Sequence, residues 1–172
     1  LALRITTTAI TITAASEEFT YDGSEHQNTG VTVTAGKLLE GDKLVAEATG
    51  SATNVADTET GNNTVKTGYK IMHGEEDVTE NYAITTVDGT LTINPKAITV
   101  AAASNEFTYN GTAQSDNDYT VTGLVGDDHI EAVVTGSITF PSESPVTNVV
   151  ESYEFTKGTA GNYSVTTVNG QL

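Results

Sequence analysis

Glu18-Phe19-Thr20-Tyr21-Asp22-Gly23 and Glu106-Phe107-Thr108-Tyr109-Asn110-Gly111 are one phrase written twice, 88 positions apart. Upstream, Ile10-Thr11-Ile12-Thr13-Ala14-Ala15-Ser16 keeps the same offset of 88 to Ile98-Thr99-Val100-Ala101-Ala102-Ala103-Ser104. A second echo closes each copy. Asn81-Tyr82-Ala83-Ile84-Thr85-Thr86-Val87-Asp88-Gly89-Thr90-Leu91 returns 81 positions later as Asn162-Tyr163-Ser164-Val165-Thr166-Thr167-Val168-Asn169-Gly170-Gln171-Leu172. The second copy is therefore shorter by the seven residues that separate the two offsets. Self-similarity at a fixed period in so short a chain defines the unit of folding.

The repeat divides the chain into residues 8–94 and residues 95–172, each large enough for a small core of its own. Leu3-Arg4-Ile5, moved by 88, falls on Leu91-Thr92-Ile93, so residues 1–7 read as the tail strand of a preceding copy. The chain stops at Gly170-Gln171-Leu172, where the first copy runs on through Leu91-Thr92-Ile93, so the second copy reads as cut at its last strand and the whole as a piece of a longer array.

Each copy reads as a succession of short strands. Ile10 to Ala14, Val31 to Thr34 and Tyr119 to Thr122 alternate apolar residues with Thr, the period-two pattern of a half-buried strand. Asx-Gly pairs punctuate them: Asp22-Gly23 and Asn110-Gly111 after the aromatic phrase, Asp88-Gly89 and Asn169-Gly170 as the expected turn of a closing hairpin. Leu39-Glu40-Gly41-Asp42 aligns with Leu124-Val125-Gly126-Asp127 as a matched turn. Ala52 to Asn63 and Phe140 to Asn148 are loop-like in composition, and His73-Gly74-Glu75-Glu76-Asp77 is an acidic surface loop peculiar to the first copy. Pro95 stiffens the linker, and no apolar 3.6-residue period is long enough for a helix.

The net charge of −16 places four Lys against fourteen acids in residues 10–91 and Lys157 alone against nine in residues 98–172. So negative a field speaks against nucleic acid and anionic membrane surfaces as partners. With no cysteine, disulfides and thiolate metal sites are excluded. No apolar run is long enough to insert into a membrane as a helix.

Taken together, the Tyr-Asp-Gly phrase, the Leu-x-Gly-Asp turn and the Asn-Tyr…Gly-x-Leu-Thr-Ile ending resemble the YDG and MBG ("mostly β-grasp") repeats of bacterial surface proteins. The resemblance covers nearly the whole chain, anchored on Tyr21/Tyr109, Gly41-Asp42/Gly126-Asp127 and Asn81-Tyr82/Asn162-Tyr163. It implies a mostly β chain of two tandem β-grasp-like domains arranged end to end, in an extracellular, cell-surface or wall-attached stalk or adhesin. An immunoglobulin-like β-sandwich is the alternative fold, and a helical turn crossing the sheet between Leu39 and Gly50 would discriminate in favour of the grasp.

Comparison of the copies is also a control on chemistry. Asp22 becomes Asn110 and Asp88 becomes Asn169 while the glycines stay, which suits turns and not general acid/base catalysis. His26, His73 and His129 show no metal-ligand spacing, and His129 aligns with Leu44. Asp116-Asn117-Asp118 lacks the Gly and Glu that complete a calcium loop; the calcium candidates are Glu75, Glu76 and Asp77. No nucleophile elbow or phosphate loop is present, so no catalytic residue, no metal site beyond those candidates and no cofactor is expected. Lys70 is the one strand Lys placed for an isopeptide cross-link, and an ordinary exposed Lys is the preferred reading. Recurring Tyr21/Tyr109, Tyr69/Tyr153 and Tyr82/Tyr163 point to core packing; Tyr119, without a counterpart, is the binding candidate.

The expected function is that of a non-enzymatic spacer, a monomer whose repeats touch their neighbours in the chain. The alternative is an adhesin module that holds a host glycan or matrix protein through loops or a strand edge.

Overall fold

The structure is a computed structural model that describes residues 2–172. The described residues fall into two compact units, the first comprising residues through Thr20 and Ser24–Asn94, the second Tyr21–Gly23 and Pro95–Leu172. Both are built from strands, with four three-residue 3-10 turns as their helical content among the described residues.

In the first unit the strands are β1 (Thr8–Ala14), β2 (Glu17–Thr20), β3 (Val31–Ala35), β4 (Asp42–Val45), β5 (Lys70–His73), β6 (Glu76–Asp77), β7 (Tyr82–Val87) and β8 (Leu91–Asn94). They form three small sheets, ordered β3-β1-β7, β2-β8 and β4-β5-β6. The alternation of β1 sends Ile10, Ile12 and Ala14 inward, and Ile10 and Ile12 meet Ile71 and Tyr82 in a core flanked by Val33, Leu44 and Val65. β1 pairs antiparallel with β3 and parallel with β7, Ile10 opposite Ile84.

The second unit has β9 (Lys96–Ala102), β10 (Tyr119–Thr122), β11 (His129–Thr135), β12 (Thr147–Lys157), β13 (Tyr163–Val168) and β14 (Gly170–Gln171). Its sheets are β10-β9-β13 and β11-β12-β14. β9 begins 88 positions after β1, has the same length and buries Ile98, Val100 and Ala102 at the matching places. It too pairs parallel with the strand that follows the Asn-Tyr motif, Ile98 opposite Val165.

Four expectations need correction. Leu39 to Gly50 contains β4 and no helical turn, so the feature that would discriminate in favour of a β-grasp is missing there. The closing hairpin does not form, because β7 pairs with β1 and β8 pairs in parallel with β2 in a different sheet. Gly89 and Gly170 consequently do not adopt positive φ, whereas Gly23 and Gly111 do, at 80° and 81°. What fixes glycine at the first two positions is space: a Cβ would stand 2.1 Å from the Ala15 carbonyl oxygen at Gly89 and 2.0 Å from that of Ala103 at Gly170.

Third, the stretch His73 to Asp77 is a hairpin, with Met72 opposite Asp77 and His73 opposite Glu76. Fourth, aligning the two copies on Gly41 and Gly126 is one residue out. Asp42 N–H donates to Leu39 O, and Asp128 N–H donates to Val125 O, so the structure matches Leu39 with Val125 and Asp42 with Asp128. His129 then falls opposite Lys43 rather than Leu44. Residues 2–7, read as a tail strand, hold no regular structure, and Leu3 and Ile5 are exposed; Leu1 lies outside the described residues.

Candidate functional site

Two buried tethers recur in both copies. Asn63 and Asn148 have no exposed surface. Asn63 Nδ2 donates to Ala15 O and to Asn28 O, each at 2.8 Å. Asn148 Nδ2 donates to Ala103 O and Asp116 O, again each at 2.8 Å. Those carbonyls border the strands on either side, so one amide ties several chain segments together. Its Oδ1 accepts no bond among the described residues, and it faces Gly50 in the first copy and Gly136 in the second, where a Cβ would stand 2.8 Å and 2.5 Å from it.

The second tether is a phenol on a carboxylate. Tyr82 Oη donates to Asp42 Oδ2 at 2.5 Å and accepts from Leu39 N–H at 2.9 Å. Tyr163 Oη donates to Asp128 and accepts from Val125 N–H at 3.1 Å. The bonds from Tyr82 and His73 hold the Asp42 carboxyl below its usual range, while burial and then the Asp42 bond raise the Tyr82 phenol. Burial first, then Asp128, pushes the Tyr163 phenol up to about 12. A phenol held neutral against an ionised carboxylate is a structural bond, not a proton shuttle.

The calcium candidates do not converge. Asp77 accepts from Thr79 N–H at 3.0 Å and Thr79 Oγ1 at 2.6 Å, which ties it to its own chain segment, and no three His, Asp or Glu side chains among the described residues are grouped to hold a metal ion. Tyr119 lies half-buried in β10 with its hydroxyl 3.5 Å from Ile130 O. Lys70 is exposed in β5. His73 Nδ1 is 2.6 Å from Asp42 Oδ1, and His129 Nδ1 is 2.7 Å from Thr156 Oγ1. Of the recurring tyrosines, Tyr21, Tyr82 and Tyr163 are buried, but Tyr109 is 57% exposed and Tyr153 41% exposed, so packing accounts for only part of the recurrence. Tyr163 stacks on Phe155 and receives the edge of Tyr21, with centroids 5.3 Å and 5.4 Å away.

A cleft of about 370 Å³ in the second unit is lined in part by Glu106, Phe107, Tyr109, Ile138, Phe140 and Leu172. Tyr109 stacks on Phe140 at 6.2 Å, and both rings remain half exposed. The floor of the cleft is held by Glu143, whose Oε2 accepts from Thr139 N–H at 2.8 Å and Phe140 N–H at 2.9 Å. The equivalent place in the first unit is filled by β8, whose Leu91 and Ile93 are buried against β2 and the turn Val55–Asp57. Sequence reading missed both the cleft and the two tethers. The recurrence of Asn63 as Asn148 was visible, but nothing in the sequence distinguishes a buried Asn from a loop Asn.

Two mixed sheets in which the first strand runs parallel to a late one, tethered by the same Asn and Tyr in each copy, define a β repeat module. Residues 98–172 match the family model of the MBG domain (YGX type), to which the second copy is similar. The chain has no match among curated proteins and none among solved structures.

Proposed function

We propose that this chain is a non-enzymatic structural repeat of a bacterial cell-surface protein, serving as an extracellular stalk or spacer in adhesion. One observation carries the reading: the interiors of the two copies agree at the tethers Asn63/Asn148 and Tyr82–Asp42/Tyr163–Asp128, while the polar surface residues do not repeat as a constellation. What both copies keep holds backbone to backbone, as a load-resisting module requires. The β-grasp assignment belongs to this proposal. The parallel pairing of β1 with β7 and of β9 with β13 supports it over a sandwich of two antiparallel sheets.

Single-molecule extension tests the spacer role. Pulling between the chain ends is expected to give two separate unfolding events, each releasing the contour length of one copy, and a single event at low force would overturn it. The half-exposed stack of Tyr109 on Phe140 over the cleft of the second unit favours a second reading, that of a module which holds a host glycan or protein.

A further inference from the structure

Two Asn-Gly pairs stand in the second copy, Asn110-Gly111 and Asn169-Gly170, where the first copy has Asp22-Gly23 and Asp88-Gly89. The dipeptides are identical, and the fold treats them oppositely. Asn110 lies exposed in a turn outside the strands. Its Oδ1 accepts from Thr112 N–H at 2.9 Å and from Thr112 Oγ1 at 2.8 Å. The first of these bonds closes a ring that contains both the Asn110 carboxamide carbon and the Gly111 nitrogen, so the two are held on one side of the turn. Gly111 N–H makes no hydrogen bond among the described residues. The space around Gly111 is open too, since the nearest atom to a Cβ there would be Tyr109 Oη at 3.9 Å.

Asn169 is placed otherwise. Its Oδ1 accepts from Val150 N–H at 3.1 Å, which draws the carboxamide toward β12. Gly170 is buried in β14 opposite Asn148, with the Ala103 carbonyl oxygen 2.0 Å from where a Cβ would stand. A nitrogen held in a strand ladder against packed backbone is not free to turn toward the side chain that precedes it.

We propose that Asn110 is a site of spontaneous deamidation from which the fold protects Asn169. Solvent hydroxide removes the Gly111 amide proton, and the nitrogen attacks Asn110 Cγ. Glycine suits this step because no side chain crowds the nitrogen. The two Thr112 donors sit on Oδ1, the oxygen that becomes anionic in the tetrahedral intermediate, and stabilise it there. The Cγ–Nδ2 bond then breaks, and the nitrogen leaves as ammonia with a proton from water, which returns the hydroxide. Water opens the resulting succinimide. Attack at Cγ restores the backbone with aspartate at 110. Attack at the Asn110 backbone carbon leaves an isoaspartyl link, in which the chain runs through Cγ and gains a backbone carbon. The aspartyl product reproduces the first copy, whose Asp22-Gly23 occupies a matching exposed turn with Gly23 at φ 80°. No partner takes part, so the reaction goes beyond the spacer reading and stands apart from it.

Ageing of the folded chain at neutral and mildly alkaline pH, followed by peptide mapping with mass spectrometry, is the test. Residue 110 is expected to convert to aspartyl and isoaspartyl forms about tenfold or more faster than residue 169, where reaction must wait for β14 to open. The rate at 110 should rise with pH, and in guanidinium chloride the two sites should converge. Thr112→Val, which keeps the N–H and loses the hydroxyl, is expected to slow residue 110 several-fold, and Thr112→Ser to keep the parent rate. Equal rates at 110 and 169 in the folded chain overturn the proposal. So does a residue 110 that stays intact in the folded chain while it converts in denaturant. A Thr112→Val chain that converts at the parent rate with an unchanged melting temperature overturns the part given to the Thr112 hydroxyl.

Discussion

Asn63 and Asn148 perform the same task 85 positions apart: each donates both amide hydrogens to two backbone carbonyls inside its own unit, and each is fully buried. An amide that bridges two carbonyls satisfies groups the strands leave over, and truncating it strands both. Asn63→Ala is expected to destabilise the first unit by about 2–4 kcal/mol, since two buried acceptors lose their donor. Asn63→Asp should cost more, because an ionised carboxylate donates no hydrogen bond to either carbonyl. Urea unfolding followed separately in the two units would show the loss confined to the unit mutated.

Glycine substitutions should separate two kinds of requirement. At Gly89 and Gly170 a methyl group would stand 2.1 Å and 2.0 Å from a backbone oxygen, far inside van der Waals contact, so Ala there must displace a strand. At Gly111 φ is +81° and the nearest atom to a Cβ is 3.9 Å away, so Gly111→Ala meets only backbone strain, about 1 kcal/mol. Thermal melting should therefore fall several-fold further for Gly170→Ala than for Gly111→Ala. Equal effects would mean that the close approach at Gly170 relaxes freely.

Tyrosinate absorbance should resolve the phenol–carboxylate tether. Tyr163 is expected to titrate at about 12, above the usual tyrosine value of about 10. A folded-state value raised above the unfolded one contributes stability that is fully present below about pH 10 and is lost as pH rises through about 12. Asp128→Asn should bring the Tyr163 transition down. A transition unmoved by that change would assign the shift to burial alone.

At the acid end the sign reverses. Hydrogen bonds lower the carboxyls of Asp42 (Tyr82, then His73), Asp57 (Asn54 and Thr53 N–H), Asp77 (Thr79) and Glu143 (Phe140 and Thr139 N–H). Each contributes stability present above its unfolded pKa, roughly 4, and lost as pH falls through its lower folded value. The chain should thus weaken below about pH 4 even though its negative self-repulsion is being relieved there. Asp57→Asn with Glu143→Gln should flatten that acid limb, and proton titration of the side chains by NMR would locate it.

The sequence alone determined the repeat, its β character and most strand positions, because period-two alternation and the 88-residue offset are local facts carried by Ile10, Ile12, Ile98 and Val100. It also found the positive-φ turns at Gly23 and Gly111, since an Asx-Gly pair after a strand needs no distant partner to be read. Gly89 and Gly170 look identical in sequence, yet they serve a close approach to Ala15 and Ala103 that exists only once β7 has paired with β1 and β13 with β9. The one-residue shift that puts Asp128 opposite Tyr163 and the burial of Asn63 and Asn148 were likewise decided by tertiary structure. Strand pairing in parallel joins residues tens of positions apart, and no local pattern records which partner a strand will take.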